Sequence, residues 1–282
     1  MPATRLQLTD QQFHRLRKIV YDRAGIHFQD SKKYVLETRL ARRLEELEFD
    51  DFDQYFMFLT SGPYQSDEFQ EMFNRITINE TSFFRNPAQM QVFEDRVLPE
   101  LLERRRATKT LRLWSAACSS GEEPYTLAMI VHRCLGVRLA DWKIEILGTD
   151  ISEKVLDLAQ AGRYPQYALK TTEPRTLSRY FKAEGRDYLL DPEIRSMVHF
   201  EKFNLKDTYA ARRYGSFDAI FCRNVLIYFD QPMKQGCMQM FHKQLADDGT
   251  LMIGHSETIH DLDVAFTPLN YDKGFAYRKT SA

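Results

Sequence analysis

A chain of 282 residues with 43% hydrophobic and 28% charged side chains holds enough apolar material for one large domain or two smaller ones, and its formal net charge of −1 gives no overall pull toward nucleic acid or a membrane surface. No apolar run approaches the ~20 residues of a membrane span, and Met1-Pro2-Ala3-Thr4 does not open a signal peptide, so a cytoplasmic protein is expected. Cys118, Cys134, Cys222 and Cys237 show no CxxC spacing, which points to reduced structural thiols and to no metal site.

Residues 1–76 read as an all-helical domain. Thr9-Asp10 can cap a first helix whose apolar residues Phe13, Leu16, Ile19 and Val20 recur at helical spacing, and Gly25 ends it. Ser31 can cap a second helix with Leu36, Leu40, Leu44 and Leu47 as its stripe. Two shorter helices, Phe52–Leu59 and Phe69–Ile76, are separated by Ser61-Gly62-Pro63. Charge is segregated here: residues 11–43 hold nine Lys or Arg against Asp22, Asp30 and Glu37, whereas residues 44–71 hold nine Asp or Glu and no Lys or Arg. Lys32, Arg39 and Arg43 fall on nearly one side of the second helix. They are either a solvated face salt-bridged to the acidic half, or a docking surface that steers and orients an acidic helical partner.

Residues 77–98 are expected to be a linker that contributes to the active site. In Thr77-Ile-Asn-Glu-Thr-Ser-Phe-Phe-Arg-Asn-Pro87, the polar groups Asn79, Glu80, Thr81 and Arg85 stand beside Phe83 and Phe84. This is either a pocket wall or an ordinary capped linker. Val92–Arg105 reads as an amphipathic helix, and residues 99–282 as an α/β domain.

That domain opens on Leu111–Val131, a strand, a loop of small residues from Ala116 to Gly121, and a helix with Pro124 in its first turn. Such a corner binds nucleotides in open α/β sheets. Glu122 and Glu123 at its mouth would repel a diphosphate and welcome a cationic ligand; equally, they complement the helix dipole. The glycine pattern is not a full GxGxxG, which speaks against a dinucleotide-dependent oxidoreductase. The second strand, Lys143–Leu147, runs to Asp150, which can accept ribose hydroxyls or cap the next helix. Residues 163–197 break the α/β rhythm as an inserted antiparallel subdomain with a hairpin near Gly185. A third strand ends at Asn204, and a fourth, beginning at Phe217, places Arg223, Asn224 and Tyr228 beyond its carboxyl end. A helix over 231–245, a strand Gly249–Gly254, the polar His255-Ser-Glu loop and a hairpin over 264–279 close the chain.

The stretches Asn79-Glu-Thr-Ser-Phe-Phe-Arg, Ser115-Ala-Ala-Cys-Ser-Ser-Gly-Glu-Glu-Pro-Tyr, Thr149-Asp150, Phe217-Asp-Ala-Ile-Phe-Cys-Arg-Asn-Val-Leu-Ile-Tyr-Phe and Gly254-His-Ser-Glu together resemble the CheR family, the chemotaxis receptor protein-glutamate O-methyltransferases, over nearly the whole chain. The resemblance implies an S-adenosylmethionine-dependent methyltransferase fold, a Rossmann-like doubly wound sheet with an all-helical N-terminal domain and a small inserted antiparallel β subdomain. It implies S-adenosylmethionine binding by Asn79, Thr81, Arg85, Glu123, Asp150, Asn204, Leu205, Arg223 and Asn224, and release of S-adenosylhomocysteine. It also implies methyl transfer to glutamates on the cytoplasmic helical domain of chemoreceptors, with Arg85 and Tyr228 in catalytic roles. Some members grip a receptor-tail pentapeptide with the inserted subdomain. The segment Lys182-Ala-Glu-Gly-Arg-Asp-Tyr188 looks shorter and poorer in glycine than in those members, which argues against a tether here. A non-catalytic receptor adaptor is the other reading, opposed by the presence of Arg85 and Tyr228.

Overall fold

The computed structural model describes residues 6–61 and 65–280. They divide into two compact units, one comprising the chain up to Ile78 together with Tyr228–Asp230, the other Asn79–Ile227 and the chain from Gln231 onward. Among the described residues no helix is long and apolar enough to cross a membrane.

The helical unit holds α1 (Asp10–Ala24), α2 (Lys33–Glu46), α3 (Phe52–Ser61) and α4 (Gln65–Ile76). Thr9 and Gln12 cap α1 reciprocally, each side chain accepting from the other's backbone N–H, and Gly25 ends the helix at φ 72°. Ser31 does not cap α2: a 3₁₀ turn, Asp30–Lys32, precedes the helix, and no side chain bonds its first turn. The core is Phe13, Leu16 and Val20 of α1, Leu36, Leu40 and Leu44 of α2, Phe52, Tyr55 and Leu59 of α3, and Met72, Phe73 and Ile76 of α4. Ile19 and Leu47, expected in the stripes, are half-buried. The expected break at Gly62-Pro63 lies outside the described residues. The return segment Tyr228–Asp230 joins this unit through a Phe229–Ile26 bridge and through the His27 N–H, which donates to the Tyr228 carbonyl at 2.8 Å.

The docking surface expected of Lys32, Arg39 and Arg43 requires correction. Arg43 donates to both oxygens of Glu68, at 3.1 and 2.6 Å, and Glu68 is only 3% exposed. The Tyr55 hydroxyl also donates to Glu68, at 2.8 Å. Arg39 donates to the carbonyls of Ile76 and Thr77 at 2.8 and 2.9 Å, meeting acceptors that the end of α4 leaves open. Of the three, only Lys32 is exposed. The basic stretch meets the acidic one at Arg15–Asp53, 2.5 Å, as well as at Arg43–Glu68, while Arg17 pairs with Asp30 at 2.5 Å and Lys33 with Asp10 at 2.6 Å outside the acidic stretch.

The second unit begins with one long helical run. Asn86 caps α5 (Pro87–Val92). A π turn, Phe93–Val97, then leads into α6 (Leu98–Arg104). Pro99 accounts for the wide turn, because it has no N–H for the Asp95 carbonyl and its ring needs the room. The run starts before the expected Val92, and the segment 77–98 does not stand apart as a linker: from Asn79 it belongs to the α/β unit.

Strands and helices then alternate: β1 (Thr110–Ala116), α7 (Glu122–Leu135), β2 (Lys143–Asp150) and α8 (Glu153–Ala161). The insertion follows, with β3 (Arg163–Pro165), α9 (Pro174–Tyr180), β4 (Phe181–Glu184), β5 (Asp187–Leu190) and α10 (Pro192–Ser196). The main sheet resumes with β6 (Val198–Lys202), β7 (Phe217–Cys222), α11 (Gln231–Gln244), β8 (Leu245–Ile253), β9 (Phe266–Tyr271) and β10 (Gly274–Lys279). The order is β6-β2-β1-β7-β8-β10-β9, parallel through β8 with the antiparallel β10–β9 hairpin at one edge. The chain order reverses on either side of β1, which puts a ligand crevice at its carboxyl end. On β1, Leu111, Leu113, Trp114, Ser115 and Ala116 are buried on both faces, as a central parallel strand requires. Trp114 Nε1 donates to Thr149 Oγ1 at 2.9 Å.

The insertion forms the antiparallel sheet β3-β5-β4, its hairpin closed by Gly185-Arg186 with Gly185 at φ 66°. Phe83 is fully buried against this sheet, its ring edge-on to Tyr164 at 4.7 Å and to Phe181 at 5.0 Å. It is therefore a core anchor and not a pocket wall.

Arg43→Ala leaves Glu68 buried with its charge unmatched. Urea unfolding of the variant is expected to show a loss of about 3 kcal/mol, the lower end for removing one partner of a buried pair; a change below about 1 kcal/mol would make the pair a surface contact.

Candidate active site at the carboxyl end of the parallel strands

The turn from β1 into α7 passes three times through the left-handed region, twice at non-glycine residues that enter it at a cost. Ala117, Ser119 and Gly121 have φ of 69°, 50° and 91°. A Cβ on Gly121 would stand 2.8 Å from the Ala159 Cβ, so α7 and α8 can pack closely only with glycine there. Three neighbours hold the turn. The Ser119 N–H donates to Asp150 Oδ2 at 2.9 Å, the Ser119 hydroxyl donates to the Asn79 carbonyl at 3.2 Å, and the Tyr164 hydroxyl donates to the Ser120 carbonyl at 2.8 Å. The last contact wires the insertion to the turn.

Asp150 is both a brace and an acceptor. Its Oδ1 takes the Ser152 N–H at 3.0 Å, while Ser152, at the N-cap of α8, makes no capping bond with its own side chain. Burial pushes the Asp150 carboxyl up, and the N–H groups of Ser152, Ser119 and Ile151 oppose that shift. The carbonyl of Asp150 accepts from Phe203 at 2.9 Å, which ties the Asn204–Leu205 turn to the same corner. Asn204 Oδ1 accepts from the Lys206 N–H at 3.0 Å, and Leu205 is buried.

At the end of β7, Arg223 is buried and each of its three guanidinium nitrogens donates a hydrogen bond. Its Nε donates to Gln89 Oε1 at 2.7 Å, Nη1 to Glu123 Oε2 at 2.9 Å, and Nη2 to the Arg85 carbonyl at 2.6 Å. Ser115 donates to the other oxygen of Glu123 at 2.7 Å. The expectation that Glu122 and Glu123 stand at the mouth as bare charges is thus corrected. Arg223 matches the charge of Glu123. Glu122 is buried beside the Ser120 hydroxyl, and burial pushes its carboxyl up to about 7. Any attraction for a cationic ligand is weaker than two open carboxylates would exert.

The hydrogen bonds form two sets: Asn79 and Asp150 meet through Ser119, and Arg85 and Glu123 meet through Arg223. Thr81 lies between Asn79 and Arg85 and is half-buried. Asn224 follows Arg223 at φ 61°. Arg85 donates from Nη1 to the Glu80 carbonyl at 2.6 Å. Tyr228 is the one expected site residue that the structure assigns to the helical unit. Two members of the cluster were not expected from sequence. Gln89 bridges Arg223 and the Ile253 carbonyl, the latter at 2.6 Å; a glutamine in a helix gives no signal of that. Glu257 accepts from Asn224 and Gly254, and its signal was its place in Gly254-His-Ser-Glu.

Comparison with known proteins covers both units. The family profile described as "CheR methyltransferase, all-alpha domain" matches residues 11–77, and that described as "CheR methyltransferase, SAM binding domain" matches residues 79–275. The chain is 35% identical to "Chemotaxis protein methyltransferase 2" of Vibrio cholerae serotype O1 over 274 residues, covering 96% of this chain and 94% of the relative. It is 38% identical to "Chemotaxis protein methyltransferase" of Escherichia coli K12 over 270 residues, covering 93% and 90%. It is 35% identical to "Chemotaxis protein methyltransferase 1" of Pseudomonas aeruginosa over 271 residues, covering 94% and 97%.

The raised carboxyl of Glu122 makes folding favour its protonated form. The stability it contributes is full below the unfolded value near 4.5 and is lost as pH rises through about 7. Glu122→Gln removes that dependence. The variant is expected to gain stability over the parent between pH 5 and pH 8, reaching roughly 3 kcal/mol at the upper end. Parallel urea-midpoint profiles for the two proteins across this range would show that Glu122 is charged in the fold.

Proposed function

The chain belongs to the CheR methyltransferase family, and from that premise we propose that it esterifies glutamate side chains on the cytoplasmic helical domain of chemoreceptors, with S-adenosylmethionine as methyl donor. The residues at the carboxyl end of the sheet suit that donor in shape and hydrogen-bonding capacity. The small-residue turn lets a ligand approach the backbone. A carboxylate offers about four acceptor positions, so Asp150, with the N–H groups of Ser119, Ile151 and Ser152 on it, keeps capacity for a ribose hydroxyl. Bound there, the donor supplies a methyl group made electrophilic by a sulfonium.

We assign Asn79, Thr81, Glu123, Asp150, Asn204, Leu205 and Asn224 to holding the donor. Arg223 is assigned to the same site, where it donates to Glu123 and Gln89. A receptor glutamate is ionised at neutral pH, with an ordinary pKa near 4.3, so no general base is needed. What the chain must supply is alignment.

The observation that carries this reading is the state of Arg85. Its backbone carbonyl is gripped by Arg223, while its guanidinium donates to a single carbonyl, that of Glu80, among the described residues. A fixed backbone with an uncommitted fork suits a group that orients a carboxylate. A complete clamp would quench the nucleophile, so the role is orientation. Tyr228 is assigned one steering hydrogen bond. The deciding experiment is transfer of labelled methyl from S-adenosylmethionine to isolated receptor cytoplasmic domains.

Asp150→Ala is expected to weaken S-adenosylhomocysteine binding by roughly 1.5–3 kcal/mol, the range for hydrogen bonds to a charged group, and to lower the melting temperature, since Ser119 and Ser152 lose their acceptor. Unchanged calorimetric affinity would leave Asp150 as a brace alone. Arg85→Lys keeps the charge and loses the fork. Single-turnover methyl transfer at saturating donor is expected to fall at least ~10-fold, about 1.4 kcal/mol of barrier, with the melting temperature unchanged. Tyr228→Phe is expected to slow transfer by a comparable factor, because the hydrogen bond it loses goes to an ionised carboxylate, worth ~1.5–3 kcal/mol. A normal rate in Arg85→Lys would remove Arg85 from the chemistry.

A further inference from the structure

The Gly254-His-Ser-Glu stretch has no part in the reaction as described, yet its last residue is buried among the backbone of two loops. Glu257 is 7% exposed. Its Oε2 accepts from the Asn224 N–H at 2.9 Å and from the Gly254 N–H at 2.7 Å, and its Oε1 accepts from the Ile227 N–H at 3.3 Å. One carboxylate thus ties the exit of β8 to both ends of the segment leaving β7. Glycine is required opposite it: a Cβ on Gly254 would stand 2.6 Å from Glu257 Oε2 and 3.1 Å from the Asn224 nitrogen.

Asn224 is the residue so held, and it sits at φ 61°, a left-handed conformation that non-glycine residues enter at a cost. Asparagine tolerates it better than most, but a single residue does not stay there unless its surroundings impose it. A charge-assisted hydrogen bond from its N–H to a buried carboxylate is such an imposition. Immediately before it, Arg223 is fixed through its side chain by Gln89, Glu123 and the Arg85 carbonyl. The two consecutive residues are therefore locked by different means, Arg223 by its guanidinium and Asn224 by its backbone.

We propose that Glu257 is a positioning residue for the methyl donor: it holds Asn224 left-handed so that the Asn224 side chain meets the donor, without touching the donor itself. The proposal rests on the assignment of Asn224 to donor binding. It makes the Gly254–Glu257 loop part of the binding apparatus, which its position outside the donor-holding residues does not reveal.

The test is a double-mutant cycle read by calorimetry with S-adenosylhomocysteine, with melting temperature measured alongside. Glu257→Gln keeps size and one acceptor oxygen but turns an amide toward three N–H donors. It is expected to melt within a few degrees of the parent and to bind S-adenosylhomocysteine about 10-fold more weakly. Asn224→Gly removes the side chain and lets the backbone adopt the left-handed conformation unaided. Adding Glu257→Gln to Asn224→Gly is expected to change affinity less than 2-fold, because the residue that Glu257 positions is gone. Multiplying losses in the double variant overturn the proposal, as does parental affinity in Glu257→Gln. A Glu257→Gln chain that does not fold overturns it too, since the carboxylate is then needed for the fold and not for position. Failure of the receptor reading is separable: the parent would bind S-adenosylhomocysteine and methylate no receptor domain.

Discussion

The candidate site depends on a buried cation. The Arg223 guanidinium at the end of β7 is held by the carboxylate of Glu123, the side-chain oxygen of Gln89 and the carbonyl of Arg85. An arginine so far from water is tolerated only with its charge matched and its N–H groups satisfied. Meeting those demands draws together the first turn of α7, the start of α5 and the segment after Asn79. Ser115 on β1 completes the set through the second oxygen of Glu123. Segments distant in sequence thus have little freedom relative to one another, which suits a site whose task is alignment.

The same economy extends to the insertion. Its sheet closes around Phe83, and the Tyr164 hydroxyl reaches the Ser120 carbonyl inside the turn after β1. The Phe83 N–H donates to the Ala168 carbonyl at 2.9 Å, so this segment is stapled by backbone as well as by ring. The inserted subdomain is therefore mechanically continuous with the loops of the candidate site. In the helical unit the opposite charges of the two halves are consumed internally, Arg43 by Glu68 and Arg39 by the end of α4. Burial of Glu68 against Tyr55 makes that pairing obligatory for the fold of those helices.

Much of this was legible beforehand, for reasons that differ by residue. The Thr9 cap, the Gly25 stop and the stripes Phe13-Leu16-Val20 and Leu36-Leu40-Leu44 are local, because helix periodicity and end chemistry act over a few positions. The strands of the main sheet were readable as short apolar runs bounded by turns. Ser31 misled because a 3₁₀ turn ahead of α2 removes it from the cap, and Pro99, inside the helix expected over Val92–Arg105, is accommodated by a π turn. The pairings at the site were not legible. Glu123 in the sequence is a negative charge, and only Arg223, 100 positions away, turns it into half of a neutral pair.

The sequence by itself determined the architecture and the chemistry available: a helical domain, an α/β domain with a small-residue corner, an inserted hairpin, and the motifs by which the chain resembles the CheR family. Those are properties of residue type and spacing, written within a turn or a strand. Which charges remain free was decided only by the tertiary structure. Arg39, Arg43, Glu122 and Glu123 all read as exposed charge, and all four are buried, half-buried or paired. Conversely Gln89, which reads as an ordinary helical polar residue, bridges Arg223 and the Ile253 carbonyl, and Glu257, visible only as part of a motif, gathers three backbone N–H groups. The reason is that the free energy of a charge depends on its distance from water and from a partner, and both distances are set by packing between segments far apart in the chain.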